Sequence, residues 1–245
     1  DTNYTKTCNN TDNGSISFWT CIGKGAIPLS HFGENLPVSQ IIRPLIDAIR
    51  DGRDVILQAA PGAGKSTLVP LTLLSESLDG KILLMQPRRV VVRSLASFLA
   101  SQCDEDVGET VGYRIKGDTR TSGKTKIEVI TEGVLARMIQ SDPELDGVSL
   151  IIFDEFHERS IHSDYGLALA LEVQQGLRED LRLLVMSATF DVDEVQSLMP
   201  DALSLQSEGR QFPIETHYIG NIKHDDIVDV STRCVLEAIN QHEGD

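Results

Sequence analysis

Along most of the chain, short apolar runs alternate with stretches in which apolar residues return every third or fourth position. Ile41, Ile42, Leu45, Ile46 and Ile49 recur at helical spacing, and Asp51-Gly52 closes that helix. A strand is predicted at 54–58, followed by a Gly-rich turn and a helix opening near Lys65. Further strands are predicted at 81–86, 127–131, 150–154 and 181–187, and further helices at 89–100, 134–140, 163–175 and 192–198. The runs Leu150-Ile151-Ile152-Phe153 and Leu183-Leu184-Val185-Met186 are apolar throughout, as strands buried on both faces must be. The alternation predicts an α/β fold, a mostly parallel sheet covered by helices on both faces.

The pattern lapses at both ends. Residues 1–35 are rich in Thr, Asn and Ser and lack the basic start and unbroken apolar stretch of a secretory signal. They read as an appendage, disordered or simply upstream sequence. After about Ser204 the character changes again: Gly209-Arg210-Gln211-Phe212-Pro213 reads as a linker, 214–219 as a strand and 227–239 as an amphipathic helix. The expected organisation is an appendage over 1–35, a nucleotide-binding domain over 36–206, and a linker with the truncated start of a second domain over 207–245.

No apolar run approaches the ~20 residues that cross a bilayer, so no membrane partner is expected. Cys8, Cys21, Cys103 and Cys234 match no zinc spacing and are too few for a disulfide scaffold. No disulfide partner is expected, and the cysteine usage fits a reducing, cytoplasmic setting. Charge changes the picture more. The formal net charge of −15 argues against a polyanionic partner when taken whole. Yet 81–93 (Lys81, Arg88, Arg89, Arg93) and 111–126 (Arg114, Lys116, Arg120, Lys124 and Lys126 against Asp118) each carry a local +4. Such segments suit local contact with nucleic acid, or are solvated faces.

The strongest chemical signal is Ala59-Ala60-Pro61-Gly62-Ala63-Gly64-Lys65-Ser66-Thr67, between a predicted strand and a predicted helix. Small residues let backbone N–H groups curl around phosphates, and the helix start adds its positive dipole end. Pro61, Gly62, Ala63, Gly64, Lys65, Ser66 and Thr67 are the expected ATP-binding residues. Lys65 would reach the β- and γ-phosphates and Ser66 would hold Mg²⁺. The first Gly usual in such loops is Ala59 here. A second signal is Asp154-Glu155-Phe156-His157 at the carboxyl end of an apolar strand, where ligands of parallel sheets bind. Asp154 is expected to hold Mg²⁺ and Glu155 to deprotonate the attacking water; an Asp-Glu pair can also cap a helix. A third is Ser187-Ala188-Thr189. Its two hydroxyls, Ser187 and Thr189, could couple the γ-phosphate site to bound nucleic acid, or cap a helix opening near Asp191.

Phosphate loop, Gln86-Pro87-Arg88-Arg89, Thr131-Glu132-Gly133-Val134-Leu135, Asp154-Glu155-Phe156-His157-Glu158-Arg159-Ser160 and Ser187-Ala188-Thr189 follow one another in an order and spacing that resembles the DEAH-box helicases of superfamily 2. The resemblance covers about 36–245. It points in particular to the bacterial HrpB subfamily, with Phe in place of the Ala of the Asp-Glu-Ala-His box. It implies a RecA-like P-loop NTPase domain, then the start of a second RecA-like domain. It implies ATP-driven 3′-to-5′ movement on single-stranded RNA in the full-length protein, with Arg88, Arg89 and Thr131 gripping the nucleic-acid backbone and His157 coupling nucleotide state to movement. The family's adenine-stacking arginine falls at Phe98, which offers a stacking face without charge. A P-loop ATPase that translocates on DNA, and a nucleotide-gated binding module without turnover, are the alternatives. The resemblance also implies arginines from a Gln-x-x-Gly-Arg-x-Gly-Arg segment of the second domain. This chain has no such segment, so on its own it is expected to be nearly inactive.

Overall fold

The computed structural model describes residues 36–76, 78, 80–188, 192–207 and 226–241, with 19–22, 25–28, 216, 218, 220 and 221. Within the region read as an appendage, β1 (Trp19–Ile22) and β2 (Gly25–Pro28) form a short antiparallel pair. A 3-10 turn over Pro37–Ile41 leads into α1 (Ile42–Arg50), β3 (Val55–Ala59) and α2 (Lys65–Ser75). β4 (Lys81–Gln86) and α3 (Arg89–Gln102) follow, then β5 (Val111–Ile115), β6 (Asp118–Arg120), β7 (Ile127–Thr131) and α4 (Glu132–Ser141). β8 (Val148–Phe153), α5 (Ile161–Gly176), β9 (Arg182–Ser187), α6 (Val192–Leu198) and β10 (Leu203–Ser207) complete this part.

Among the described residues one eight-stranded sheet runs in the order β10-β3-β9-β8-β4-β7-β5-β6, parallel everywhere except for the β5–β6 hairpin. Strand alternation sends Val55, Leu57, Leu84, Ile152 and Leu184 to one face with α1, α2 and α3. It sends Ile56, Leu83, Ile151, Phe153 and Val185 to the other with α4, α5 and α6. Both faces are therefore covered, which is why the central strands have no polar side. The topology has a second consequence. β3, β9, β8, β4 and β7 are consecutive neighbours, so the described residues of the five motifs that follow them lie along one edge of the sheet although they are scattered over 59–188 in sequence.

The structure adds elements that the pattern did not predict. Residues 203–207 form β10, an edge strand in register with β3 from Leu203↔Val55 to Ser207↔Ala59. The β5–β6 hairpin stands where only a basic cluster was expected, and Arg120 O lies 2.4 Å from where a Cβ at Gly112 would sit, so only glycine fits that crossing. The chain divides into compact units at Asp1–Arg210 and Gln211–Asp245. The strand expected at 214–219 falls mostly outside the described residues, and Thr216 and Tyr218 are not in a strand. In the second unit, α7 (Ile227–Gln241) leaves Val228, Val235, Leu236 and Ile239 exposed. No helix of the described residues is long and apolar enough to cross a membrane.

Candidate nucleotide and nucleic-acid site

The loop after β3 places Pro61, Gly62, Ala63 and Gly64 ahead of Lys65, Ser66 and Thr67, the first turn of α2. Gly62 and Gly64 take left-handed backbone angles, φ 75° and 91°, which residues with a Cβ adopt at a cost. At Gly64 a Cβ would also meet Leu36 Cδ1 at 2.6 Å. The loop is tied from outside by the Val38 N–H, which donates to Ala63 O at 3.1 Å. Its amides are thus presented at a helix start, as phosphate binding requires.

Facing the loop, Asp154 continues β8 and Glu155 breaks from it. The Asp154 N–H donates to Met85 O at 3.1 Å, and Glu155 then turns left-handed at φ 53°. One peptide unit therefore separates a carboxylate that is 2% exposed from one whose side chain is 29% exposed. Burial pushes the Asp154 carboxyl up to about 6, against a hydrogen bond from the Ser66 hydroxyl; the Glu155 charge raises it further and Lys65 opposes this. Gln86 Nε2 donates to Asp154 Oδ2 and the Glu155 N–H to Oδ1. Glu155 caps nothing with its side chain. Its Oε1 instead lies 3.2 Å from Lys65 Nζ.

His157 sits in a 3-10 turn, Phe156–Glu158, with Nδ1 3.4 Å from Glu155 Oε2 and 3.4 Å from the Ala188 N–H. Nδ1 can accept from Ala188 or donate to Glu155, not both. The ring therefore chooses between the general-base candidate and the Ser187-Ala188-Thr189 segment. Ser187 Oγ is fully buried with no hydrogen-bond partner among the described residues. Thr189 lies outside them.

A cavity of about 350 Å³ is lined by Ser66, Gln86, Arg88, Glu155, His157 and Glu158 with the apolar wall of Val91 and Leu95. Phe98 follows Leu95 along α3 and is 37% exposed. A second cavity of about 200 Å³ lies across Pro87, lined by Arg89, Lys116, Thr131, Glu132, Gly133 and Arg137. Arg88 and Arg89 thus part company: Arg88 lines the first cavity and Arg89 joins Thr131 in the second. Several residues of this edge carried no individual expectation. Gln86 supports Asp154. Lys116 arrives on the β5–β6 turn and Arg137 one helical turn beyond Gly133, a spacing readable only once α4 is known to start at Glu132. Ser160 caps α5 and donates to both oxygens of Glu132, at 2.9 and 2.8 Å, so the second cavity is tied to the Asp154–Ser160 segment.

The basic segments are less free than their charge count. Lys81 and Arg114 both pair with Glu128, which is fully buried, and Arg93 pairs with Asp118.

The family model for the DEAD/DEAH box helicase matches residues 39–198. The chain belongs to the DEAD/DEAH box helicase family. It is similar to the ATP-dependent RNA helicase HrpB of Escherichia coli K12, at 47% identity over 86% of this chain and 26% of that protein. It is also similar to the probable ATP-dependent RNA helicase DHR2 of Saccharomyces cerevisiae, at 36% identity over 86% of this chain and 29% of that one. The crystal structure of the E. coli DEAH/RHA helicase HrpB superposes with a TM-score of 0.78 at 48% identity, covering 86% of this chain and 27% of that chain. The chain spans about a quarter of the length of the relatives it matches. The mostly parallel, RecA-like α/β architecture of this DEAD/DEAH box domain is the one expected from the sequence.

Proposed function

We propose that residues 36–206 are the first motor domain of an ATP-dependent RNA helicase and that 207–245 open the second. What supports this is the placement of Glu155, one residue beyond buried Asp154 and 3.2 Å from the Lys65 ammonium at the mouth of the phosphate loop. Pro61 to Thr67 would hold the ATP phosphates, with Lys65 on the β- and γ-phosphates. Ser66 and Asp154 supply a hydroxyl and a carboxylate, a donor set that suits Mg²⁺, which takes few protein ligands and fills its shell with phosphate oxygens and water. Bound Mg²⁺ would neutralise charge developing on the phosphates. Glu155, partly open to solvent, would orient and deprotonate the attacking water.

Arg88, Arg89 and Thr131, with Lys116 and Arg137, would hold single-stranded RNA by its phosphates. His157, Ser187 and Thr189 would relay between the two sites. In the full-length protein this serves 3′-to-5′ movement. The experiment is steady-state ATP turnover of the full-length protein with oligouridylate, oligothymidylate or neither. Stimulation by RNA supports the reading. Stimulation by DNA alone would make it a DNA translocase, and no turnover with either would leave a nucleotide-gated binding module.

A further inference from the structure

The turn Phe156–Glu158 is bounded by two residues in left-handed conformation that are not glycine, Glu155 at φ 53° and Arg159 at φ 38°. A turn so constrained keeps its shape only if its side chains are anchored, and each anchor is visible. Glu155 reaches Lys65, and His157 meets Ala188. Arg159 pairs with Asp164 and Glu194 and lies 5.7 Å from the centre of the Phe156 ring. Glu158 pairs with Arg88. The last anchor differs from the others. It ends on an exposed cation, Arg88, at the start of α3, with its side chain 68% exposed, so a polyanion can reach it. Arg88 cannot give one guanidinium edge to Glu158 and to a phosphate at the same time.

We propose that Glu158 is a positioning residue that holds the Glu155–His157 turn through Arg88 until an RNA phosphate takes its place on Arg88. This rests on the RNA reading above. The pair is exposed and therefore weak, which is what a displaceable contact needs; a buried pair would hold Arg88 permanently. With Glu158 on Arg88, Glu155 stays beside Lys65 and His157. With a phosphate on Arg88, the turn loses one anchor and Glu155 gains freedom to address water. RNA contact at Arg88 thereby alters the geometry of hydrolysis through Glu158.

The test uses the full-length protein, with oligouridylate as probe. Glu158→Gln keeps the shape and removes the charge. It should raise ATP turnover without RNA by about two- to fivefold, the range that an exposed ion pair can hold back. It should lower the half-activating oligouridylate concentration by a similar factor and leave the melting temperature unchanged. The double variant Arg88→Glu, Glu158→Arg restores the pair with its charges exchanged. Its RNA-free turnover should fall below that of Glu158→Gln while its half-activating concentration rises, because position 88 now repels phosphate. A Glu158→Gln variant with wild-type RNA-free turnover, in a protein that RNA does stimulate, overturns this role and leaves the RNA reading standing. Failure of the exchanged pair to lower the RNA-free rate below that of Glu158→Gln also overturns it. A wild-type protein indifferent to oligouridylate overturns the RNA reading, and this role with it.

Discussion

Lys65 Nζ lies 3.2 Å from Glu155 Oε1, so the ammonium at the start of α2 is partnered by the acid proposed to act on water. Lys65 is 4% exposed, and a buried ammonium needs such a partner. A phosphate bound at Lys65 would compete with Glu155 for the ammonium, and loosening that pair would leave Glu155 freer to meet a water.

Glu155→Gln should separate binding from chemistry. The amide keeps the shape, weakens the hold on Lys65 and removes the base. In the full-length protein ATP affinity should hold or improve, while turnover falls by about 10²–10⁴. Calorimetry with Mg-ATP and single-turnover phosphate release read the two effects. Turnover at the wild-type rate would place the base elsewhere.

Lys65→Ala should weaken ATP binding by about ten- to hundredfold, the worth of a hydrogen bond to a charged group, with the fold intact by circular dichroism. Unchanged affinity by calorimetry would mean that the loop does not hold the phosphates.

Asp154→Asn should stabilise the nucleotide-free protein in a pH-dependent way. The native Asp154 carboxyl is raised to about 6 by burial, whereas an unfolded Asp titrates near ~3.9. Between those values the folded state holds a proton that the unfolded state has lost, so stability falls as pH rises through the window. The asparagine has no such titration. Its melting-temperature gain over wild type should be small at pH 4, grow towards pH 6 and stay level at pH 7 and above. Thermal melts across that range check it, and a gain independent of pH would show that burial of the charge is not the cause.

Arg137→Ala should weaken oligouridylate binding and flatten its salt dependence by about 0.7 in slope, one phosphate contact on a single strand. Arg114→Ala, by contrast, should leave the slope unchanged, because Arg114 is committed to Glu128. Binding titrations by fluorescence anisotropy over a salt series separate the two. An equal flattening by both would mean that the second cavity is not the nucleic-acid site.

Much of this edge was legible because its signals are local. The phosphate loop needs particular residues at particular spacings, and wholly apolar runs such as Leu150–Phe153, too short for a helix and bounded by turns, read as strands buried on both faces. β10 was not legible. Leu203-Ser204-Leu205-Gln206-Ser207 alternates like a half-exposed strand but is too short and polar to stand apart from a linker, and its evidence is its pairing with β3. Nor could the basic segments be sorted into free and committed charges. Glu128 lies in an apolar run, and nothing in its neighbours announces that it is buried beneath Lys81 and Arg114. The sites of Lys116 and Arg137 depend on the hairpin turn and on where α4 begins, both long-range outcomes of packing.

The edge strand also decides how force enters this domain. The chain leaves the sheet at Ser207, level with Ala59, where the phosphate loop begins. β10 runs parallel to β3, so a pull along it loads the hydrogen bonds from Leu203 to Ser207 in shear, all at once, rather than peeling them singly. Tension along β10 is therefore delivered to β3, the strand that leads into the Gly-rich loop.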